Sequence, residues 1–343
     1  MRKKVGIIGH FAFGQECFDG QTVKTKTLHD ELVRAGVDDI VTVDTALNAS
    51  NKPRLLTEAI SCAFRCENVI LLVSRGGLAV FLPLLSFLKK IGGAKLYLDV
   101  IGGNMASLIE TNPSWLSYIA SFDGVWAETK GAAADLAVLG LGNVRVIPNF
   151  KRLDIREREY ARGSDKRYCI FSRVMREKGI TEAVHAVASA RRVLNSDAIF
   201  LDVWGPIDEG YRDEFELLLQ ENRDFLSYRG IANYGESGEA LAGCYALLFP
   251  SRWEGEGFPG TIVDAFAAGL PVLASNWNAN AEIVENGETG LVYPCEEAPD
   301  LASGIMWLAQ HEAETLAMSM HCNDEAKKYL PDLWIAEIKG ILE

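Results

Sequence analysis

The sequence predicts an α/β protein of two domains, each built on a doubly wound, Rossmann-like parallel sheet. Short apolar, β-branched runs alternate with segments of helix length, and this rhythm occurs twice along the chain. At about 150 residues per domain, the 343 residues also suggest two domains. The predicted strands lie at 5–9, 39–44, 68–74, 95–103, 124–129 and 144–149, and then at 167–172, 198–205, 226–230, 245–251, 271–275 and 290–294.

The domain boundary is predicted near residue 150, where the charge balance changes. Residues 1–150 carry 15 basic and 14 acidic groups, whereas residues 151–343 carry 19 and 33. We therefore predict a first domain at 1–150, a charged linker at 151–166 and a second domain at 167–320. Residues 321–343 form a helical tail that is expected to pack back on the first domain. Two domains joined by one linker place a cleft between them, where ligands commonly bind.

The composition excludes several classes of protein. With 48% hydrophobic and 24% charged residues, the chain is neither disordered, collagen-like nor a coiled coil. A net charge of −13 argues against a nucleic-acid partner. Seven scattered cysteines indicate neither a disulfide framework nor a zinc site, and no apolar signal-peptide region follows the N-terminus. A cytoplasmic location is therefore expected.

The most apolar stretch is residues 78–88, LAVFLPLLSFL, which contains Pro83. It is about half the ~20 residues that a membrane-spanning helix needs. Two interpretations stay open: a core helix with a lysine-capped end, which the pattern favours, and an interfacial helix that presents Lys89 and Lys90 to anionic lipid. Further lysines of the first half, such as Lys24, would also allow contact with a membrane-presented acceptor.

The first predicted strand ends in a glycine-bearing loop that contains Gly9 and Gly14. The dinucleotide pattern G-x-G-x-x-G is not met, and the loop is too long for the tight turn of that motif. Asp44 ends the second strand, where a ribose-binding acid would lie, but one such acid does not establish a cofactor site. His10, just past the first strand, is a candidate contact to a ligand, although a lone histidine is more often structural.

The most informative segment is 249–294, where a strand leads into the turn SRWEGEGFPG and then into an apolar helix that begins near Thr261. Backbone amides at 258–261 would be unpaired at the helix start and would attract phosphate. Glu256 precedes this anion site and Asp264 follows it. Carboxylates on both sides fit hydroxyl-rich groups at the two ends of a diphosphate, since a carboxylate accepts hydrogen bonds from vicinal hydroxyls. Alternatively, these acids only complement the helix dipole.

A second cluster lies in FSRVMREKG, residues 171–179. Arg173 and Lys178 follow a predicted strand at the edge where ligands bind in this architecture, and Gly179 lets the chain turn. A guanidinium and an ammonium suit two neighbouring phosphoryl groups. Simple surface charge is the alternative, but acidic residues outnumber basic ones in this half.

Together, SRVMREKG, DVWGP, PSRWEGEGFPGTIVDAFAAGLPV and AEIVENGETGLVYP resemble the retaining glycosyltransferases of the GT4 family, which have the two-domain GT-B fold. The similarity covers most of the second half, and the first half is similar in outline only. The resemblance implies parallel sheets that face each other across a cleft. It implies an acceptor-binding first domain and a second domain that binds the nucleotide-sugar donor.

By this resemblance, Arg173 and Lys178 neutralise the donor diphosphate and Glu256 holds the donor sugar. Asp264 stands where the family has a second Glu that binds the ribose, and Pro259 replaces a glycine. The predicted catalytic residues are Arg173, Lys178 and Glu256. The predicted donor-binding residues are Gly14, Gly257, Phe258, Pro259, Gly260, Thr261 and Asp264, and sugar or acceptor contacts are predicted at His10, Gly102, Gly103 and Asn104.

The implied reaction is transfer from a nucleotide diphosphate sugar to a saccharide or lipid-linked acceptor, with retention and by front-face attack. The expected setting is cell-surface polysaccharide synthesis, with possible peripheral contact of the first domain with the inner face of the plasma membrane. No D-x-D triplet occurs, so neither a metal nor another cofactor is expected. The alternatives are a nucleotide-sugar epimerase of the same shape and a non-catalytic partner subunit, which the shorter acid Asp264 would favour.

Overall fold

The computed structural model describes residues 5–14, 20–46, 51–156, 165–233, 235–295 and 298–343. The chain divides into two compact units. Unit 1 comprises Met1–Lys151 and Leu330–Glu343, and unit 2 comprises Arg152–Tyr329.

Unit 1 contains a six-stranded parallel sheet with strand order β2-β1-β3-β4-β5-β6. All residues of β1 and β3 are buried, as expected for central strands of a parallel sheet with helices on both faces. The strands are Val5–Gly9 (β1), Ile40–Asp44 (β2), Asn68–Leu72 (β3), Lys95–Asp99 (β4), Gly124–Ala127 (β5) and Val144–Val146 (β6). The helices are Gly20–Arg34 (α1), Lys52–Arg65 (α2), Arg75–Lys90 (α3), Met105–Thr111 (α4), Ser114–Ala120 (α5) and Lys130–Val138 (α6).

Unit 2 contains a second six-stranded parallel sheet with strand order β12-β11-β10-β7-β8-β9. Its strands are Lys166–Phe171 (β7), Ile199–Trp204 (β8), Leu226–Gly230 (β9), Ala246–Phe249 (β10), Val272–Ser275 (β11) and Gly290–Tyr293 (β12). Its helices are Ile180–Leu194 (α7), Arg212–Glu221 (α8), Ser237–Leu241 (α9), Gly260–Ala267 (α10), Asn280–Ile283 (α11), Ala298–Gln310 (α12) and Glu312–Ala326 (α13). The predicted α/β class and all twelve predicted strands are confirmed.

The strand order locates the ligand-binding edge of each sheet. In unit 2 the order reverses between β7 and β10, which pair in parallel. In unit 1 it reverses between β1 and β3. Ligands of open α/β sheets bind beyond the carboxyl ends of the strands at such a switch point. The strand order therefore predicts a ligand site of unit 2 at the loops after β7 and β10.

The C-terminal residues divide differently from the predicted tail. The predicted boundary at 320 lies inside α13, which spans Glu312–Ala326. This helix belongs to unit 2 on both sides of the boundary, because Met318, Cys322 and Ala326 are buried in the cores of that unit. The last helix, Pro331–Leu342 (α14), belongs to unit 1, where Ile335 and Ile338 are buried in its core. The predicted linker at 151–166 overlaps β7 at its last residue, and 157–164 lie outside the described residues.

The apolar stretch 78–88 lies in α3 as a core helix that buries Phe81, Leu82 and Leu85. Lys89 does not cap its own helix: the ammonium donates to the carbonyl of Ser121 and to Asp123, both at 2.7 Å. No helix among the described residues is both long and apolar enough to cross a membrane.

Candidate functional site

The connection between β7 and α7 brings Lys178 to the carboxyl end of β10. After β7 the chain forms a 3-10 turn over Arg176–Lys178, and Gly179 ends the turn in the left-handed region at φ 74°. A Cβ atom on Gly179 would lie 2.5 Å from the carbonyl oxygen of Pro250, which follows β10. Glycine is required here both by the backbone angle and by this close approach. The Lys178 side chain therefore faces the loop after β10.

Lys178 and Glu256 form a buried ion pair with 2.5 Å between Nζ and Oε2. Only 8% of Lys178 and 6% of Glu256 are exposed. The Ser251 hydroxyl donates to the same Oε2 at 2.6 Å, and the ammonium lies 4.8 Å from the ring centre of Trp253. The other oxygen, Oε1, accepts no hydrogen bond from the described residues. One oxygen of a buried carboxylate is thus available to a ligand.

Residues at and directly after the end of β11 fix the backbone of the loop that follows β10. The Asn278 amide donates to the carbonyl of Glu256 at 3.0 Å, and the Ser275 hydroxyl donates to the carbonyl of Ser251 at 2.7 Å. The sequence prediction did not include Ser251, Ser275 or Asn278. A signal was present for Asn278, which lies in the polar run NWNAN after a predicted strand whose carboxyl end is at the same sheet edge.

The first turn of α10 is anchored to the end of β7. The Thr261 hydroxyl donates to the carbonyl of Phe171 at 2.6 Å, and Pro259 is the residue before the helix, which starts at Gly260. The amides of the first helical turn have no acceptor within the helix and can bind an anion. Pro259 has no N–H group, so the segment 258–261 offers fewer donors than four residues normally would. Phe258 is buried in the core of unit 2.

The remaining donor-site candidates of unit 2 have different surroundings. Asp264 is buried in α10 and accepts a hydrogen bond from the Ser237 hydroxyl of α9 at 2.9 Å. Arg173 is exposed two residues after β7 and forms no ion pair with any residue that the structure describes. Gly257 is partly exposed beside Glu256. The structure therefore pairs Lys178 with Glu256 and places the Ser237 hydroxyl against Asp264.

In unit 1, Asp44 holds the loop that follows β1. Its carboxylate accepts hydrogen bonds from the backbone amides of Phe11 at 3.2 Å, Ala12 at 3.3 Å and Phe13 at 3.1 Å. Both carboxylate oxygens are used in these contacts. Asp44 therefore has a structural role in the described conformation, which agrees with the sequence argument against a dinucleotide site.

The other candidates of unit 1 lie in two loops at the carboxyl ends of the strands. His10 is partly buried directly after β1, and Gly14 is exposed with φ 75°. Gly102 has φ 86° and is partly exposed, and Gly103 and Asn104 are exposed immediately before α4.

A buried charge cluster lies beside the second of these loops. Lys24 of α1 contacts Asp99 at 2.6 Å and Glu128 at 3.0 Å, and Glu128 Oε2 accepts the Gly102 amide at 3.3 Å. Burial raises the pKa of Asp99 to about 6, and the Lys24 ammonium opposes that rise. Only 5% of Lys24 is exposed. The expectation that Lys24 contributes to a membrane-facing surface is therefore wrong, because its ammonium is enclosed between two carboxylates.

Comparison with known sequences decides the family. The family model of glycosyl transferases group 1 matches residues 151–329. The chain belongs to the family of glycosyl transferases group 1. This match contains all of the predicted donor-site residues of unit 2, from Arg173 to Asp264.

Two curated relatives match parts of this glycosyl transferases group 1 chain. A GDP-mannose-dependent α-(1-6)-phosphatidylinositol monomannoside mannosyltransferase of Mycobacterium tuberculosis is 28% identical over 203 residues, which are 56% of this chain and 51% of the relative. An exopolysaccharide phosphotransferase of Streptomyces coelicolor is 31% identical over 100 residues, which are 29% of this chain and 10% of the relative. The chain thus spans about half the length of the first relative and a small part of the second.

Solved structures agree with the fold. HepE of Anabaena in complex with UDP has a TM-score of 0.79 at 14% identity over 99% of both chains. The sucrose-phosphate synthase of Thermosynechococcus elongatus has a TM-score of 0.74 at 15% identity, over 99% of this chain and 98% of the other. At such identities the likeness establishes the GT-B fold and not the substrate.

Proposed function

We propose that this chain is a retaining glycosyltransferase that moves a sugar from a nucleotide diphosphate sugar to a saccharide or lipid-linked acceptor. The observation that carries the proposal is the buried pair of Lys178 and Glu256 at the switch point of unit 2, next to the first turn of α10. This arrangement offers positive charge, backbone donors and a carboxylate oxygen within one sheet edge. A sugar diphosphate presents the complementary groups.

The roles of the side chains follow from their chemistry. Departure of the diphosphate builds negative charge, which Arg173, Lys178 and the first amides of α10 stabilise. Glu256 Oε1 accepts a hydrogen bond from a hydroxyl of the donor sugar, and Asp264 accepts one from the ribose. In the front-face reaction, the bond from the anomeric carbon to the diphosphate breaks and the bond to the acceptor oxygen forms on the same face. The acceptor proton passes to a phosphate oxygen of the leaving group.

The donor diphosphate needs no metal ion in this proposal, because Arg173 and Lys178 supply the positive charge. The expected result is that treatment with EDTA leaves the rate of transfer unchanged. Activity that disappears with EDTA and returns with added Mg²⁺ or Mn²⁺ would contradict this part of the proposal.

Cell-surface polysaccharide synthesis at the cytoplasmic face of a membrane is the proposed setting. The names of the curated relatives, an exopolysaccharide enzyme and a lipid mannosyltransferase, support it. Unit 1 also exposes Phe64 of α2, Phe87 of α3 and Ile91, which directly follows the exposed Lys90 at the end of α3. Apolar side chains next to basic ones favour contact with anionic lipid.

The membrane part is tested by sedimentation with phosphatidylglycerol vesicles, with phosphatidylcholine vesicles for comparison. Phe87→Ser is expected to lower binding to the anionic vesicles. Val193→Ser, at a residue of unit 2 that is 65% exposed, serves as the control. Equal binding by both variants would contradict membrane contact through α3.

The decisive experiment for the enzymatic proposal measures binding and turnover separately. Thermal shifts are recorded with UDP, GDP, UDP-glucose and GDP-mannose, because a specific ligand raises the melting temperature by mass action. Release of nucleoside diphosphate gives the rate, and NMR of the anomeric proton shows whether configuration is retained. Glu256→Gln is expected to abolish transfer while nucleotide binding persists. Glu254→Gln, at an exposed acid in the same loop, is the matched control.

Each alternative function gives a different result in this experiment. Conversion of the sugar without an acceptor would show an epimerase. Binding of a nucleotide sugar without turnover would show a non-catalytic partner subunit. Failure of every nucleotide to bind would contradict the donor site itself.

A further inference from the structure

Three elements of unit 1 meet in the buried cluster of Lys24, Asp99 and Glu128. Asp99 is the last residue of β4, Glu128 follows β5, and these strands are paired neighbours in the sheet. Lys24 reaches them from α1, the helix after β1. The cluster therefore lies at the carboxyl ends of the strands, where ligands bind in this architecture.

The hydrogen bonds of the cluster leave one acceptor without a donor. The Lys24 ammonium contacts Asp99 Oδ1, Glu128 Oε1 and the carbonyl of Val100, so its three donors are used. Glu128 Oε2 accepts the Gly102 amide. Asp99 Oδ2 accepts no hydrogen bond from the described residues, although only 3% of Asp99 is exposed. Among the described residues, Asp99 Oδ2 is not one of the unpartnered atoms that solvent cannot reach. This oxygen is therefore accessible to a ligand.

The charge of the cluster indicates what can bind there. One ammonium faces two carboxylates, so the fully ionised cluster carries a net charge of −1 in a buried position. Such a site disfavours a phosphate or a carboxylate and favours a neutral hydrogen-bond donor. An ionised carboxylate is an acceptor only, so the complementary group is a hydroxyl.

We propose that Asp99 binds a hydroxyl group of the acceptor and that Lys24 and Glu128 are positioning residues. The acceptor is therefore a molecule that presents hydroxyl groups to this site. The proposal rests on the proposed glycosyltransferase function. Lys24 fixes Asp99 Oδ1 and turns Oδ2 to the ligand, while Glu128 holds the Gly102 amide. The exposed residues Gly103 and Asn104 are then placed beside the same ligand.

The test uses simple hydroxylated probes, because the natural acceptor is unidentified. Saturation-transfer NMR measures binding of methyl α-D-mannopyranoside, methyl α-D-glucopyranoside and glycerol to the whole chain. Asp99→Asn is expected to weaken binding by about 10- to 100-fold, the loss associated with a hydrogen bond to a charged group. Asp123→Asn is the matched control, since Asp123 also pairs with a lysine of unit 1, at 2.7 Å, but precedes β5 at the opposite edge of the sheet.

The pH dependence of the wild-type chain gives the same test without a variant. Among the residues that the structure describes, the charged groups that face Asp99 are Lys24 and Glu128. Binding of the probes is expected to weaken as the pH falls through about 6, where Asp99 takes up a proton. Binding that is independent of pH, equal in wild type and Asp99→Asn, or absent from the wild type would overturn the proposal.

A second readout separates this proposal from the proposed function. Hydrolysis of the nucleotide sugar by water requires the donor site but no acceptor. Normal hydrolysis in Asp99→Asn, together with weakened probe binding, is the expected result. Absence of donor binding and hydrolysis in the wild type would contradict the transferase function, whereas unchanged probe binding in the variant would contradict only the role of Asp99.

Discussion

Replacing Glu256 by Gln removes one charge from a buried ion pair and leaves the Lys178 ammonium without its counterion. Among the described residues, the rings of Trp253 and Phe249 still lie near the ammonium, with centres 4.8 and 5.7 Å from Nζ. Breaking a buried pair from one side typically costs 3–5 kcal/mol, and a glutamine oxygen can still accept one hydrogen bond. We therefore expect Glu256→Gln to destabilise unit 2 by about 3 kcal/mol.

Hydrogen exchange measured peptide by peptide is the appropriate assay, because a chain of two units need not unfold in one step. Peptides from β10 report the opening of unit 2, and peptides from β3 of unit 1 provide the internal control. Lys178→Met, which leaves Glu256 as an unpaired carboxylate, is expected to show a similar loss. The double variant should recover most of the stability, since no unpaired charge then remains.

Activity should follow a different pattern from stability. All three variants are expected to lose transfer by at least about 100-fold, because each lacks a group that stabilises or positions the donor. The control variant Glu254→Gln should keep both properties within about 0.5 kcal/mol of the wild type. Losses of stability that simply add in the double variant would refute the idea that Lys178 and Glu256 act as one buried pair.

Three further predictions follow from single contacts. Arg173→Ala should lower transfer while the melting temperature stays close to that of the wild type, because this exposed arginine makes no ion pair with any described residue; a large fall in melting temperature would contradict it. Gly179→Ala should destabilise unit 2 more than Gly243→Ala, since both glycines have positive φ but only a Cβ at Gly179 would meet Pro250, at 2.5 Å; equal melting temperatures would disprove the contact argument. Because the pKa of Asp99 is raised to about 6, the folded chain holds that proton more tightly than the unfolded chain. The wild type should therefore gain stability relative to Asp99→Asn as the pH falls from about 7 to about 4, and a difference in melting temperature that does not change with pH would contradict this prediction.

The strands could be located from the sequence because each one has a local signal. β1, for example, is a short apolar run between charged or polar segments, and its predicted and observed limits are the same, Val5–Gly9. The order of the strands has no such signal. The strand order depends on which side of β1 or β7 each helical crossover places the next strand. That side depends in turn on which faces of the helices can pack together.

The site was predicted in part. Lys178 and Glu256 stand in motifs with distinctive glycines and charges, and the structure joins them at 2.5 Å. The contact of Ser251 could not be predicted, because serine is common in loops, whereas Asn278 lies in a polar run directly after a predicted strand. The contact between Lys24 and Asp99 was missed, since these residues are 75 positions apart and no pattern links α1 to the end of β4.

The amino-acid sequence alone determined the two α/β sheets, the strand positions and the family to which unit 2 belongs, because apolar periodicity and compact motifs are properties of neighbouring residues. Only the tertiary structure decided which charges are buried and which oxygen atoms remain available to a ligand. Burial and hydrogen bonding depend on groups from distant segments that meet at the ends of the strands. Glu256 and Asp99 each have one oxygen bound by a lysine and one without a donor among the described residues, which no local pattern could indicate.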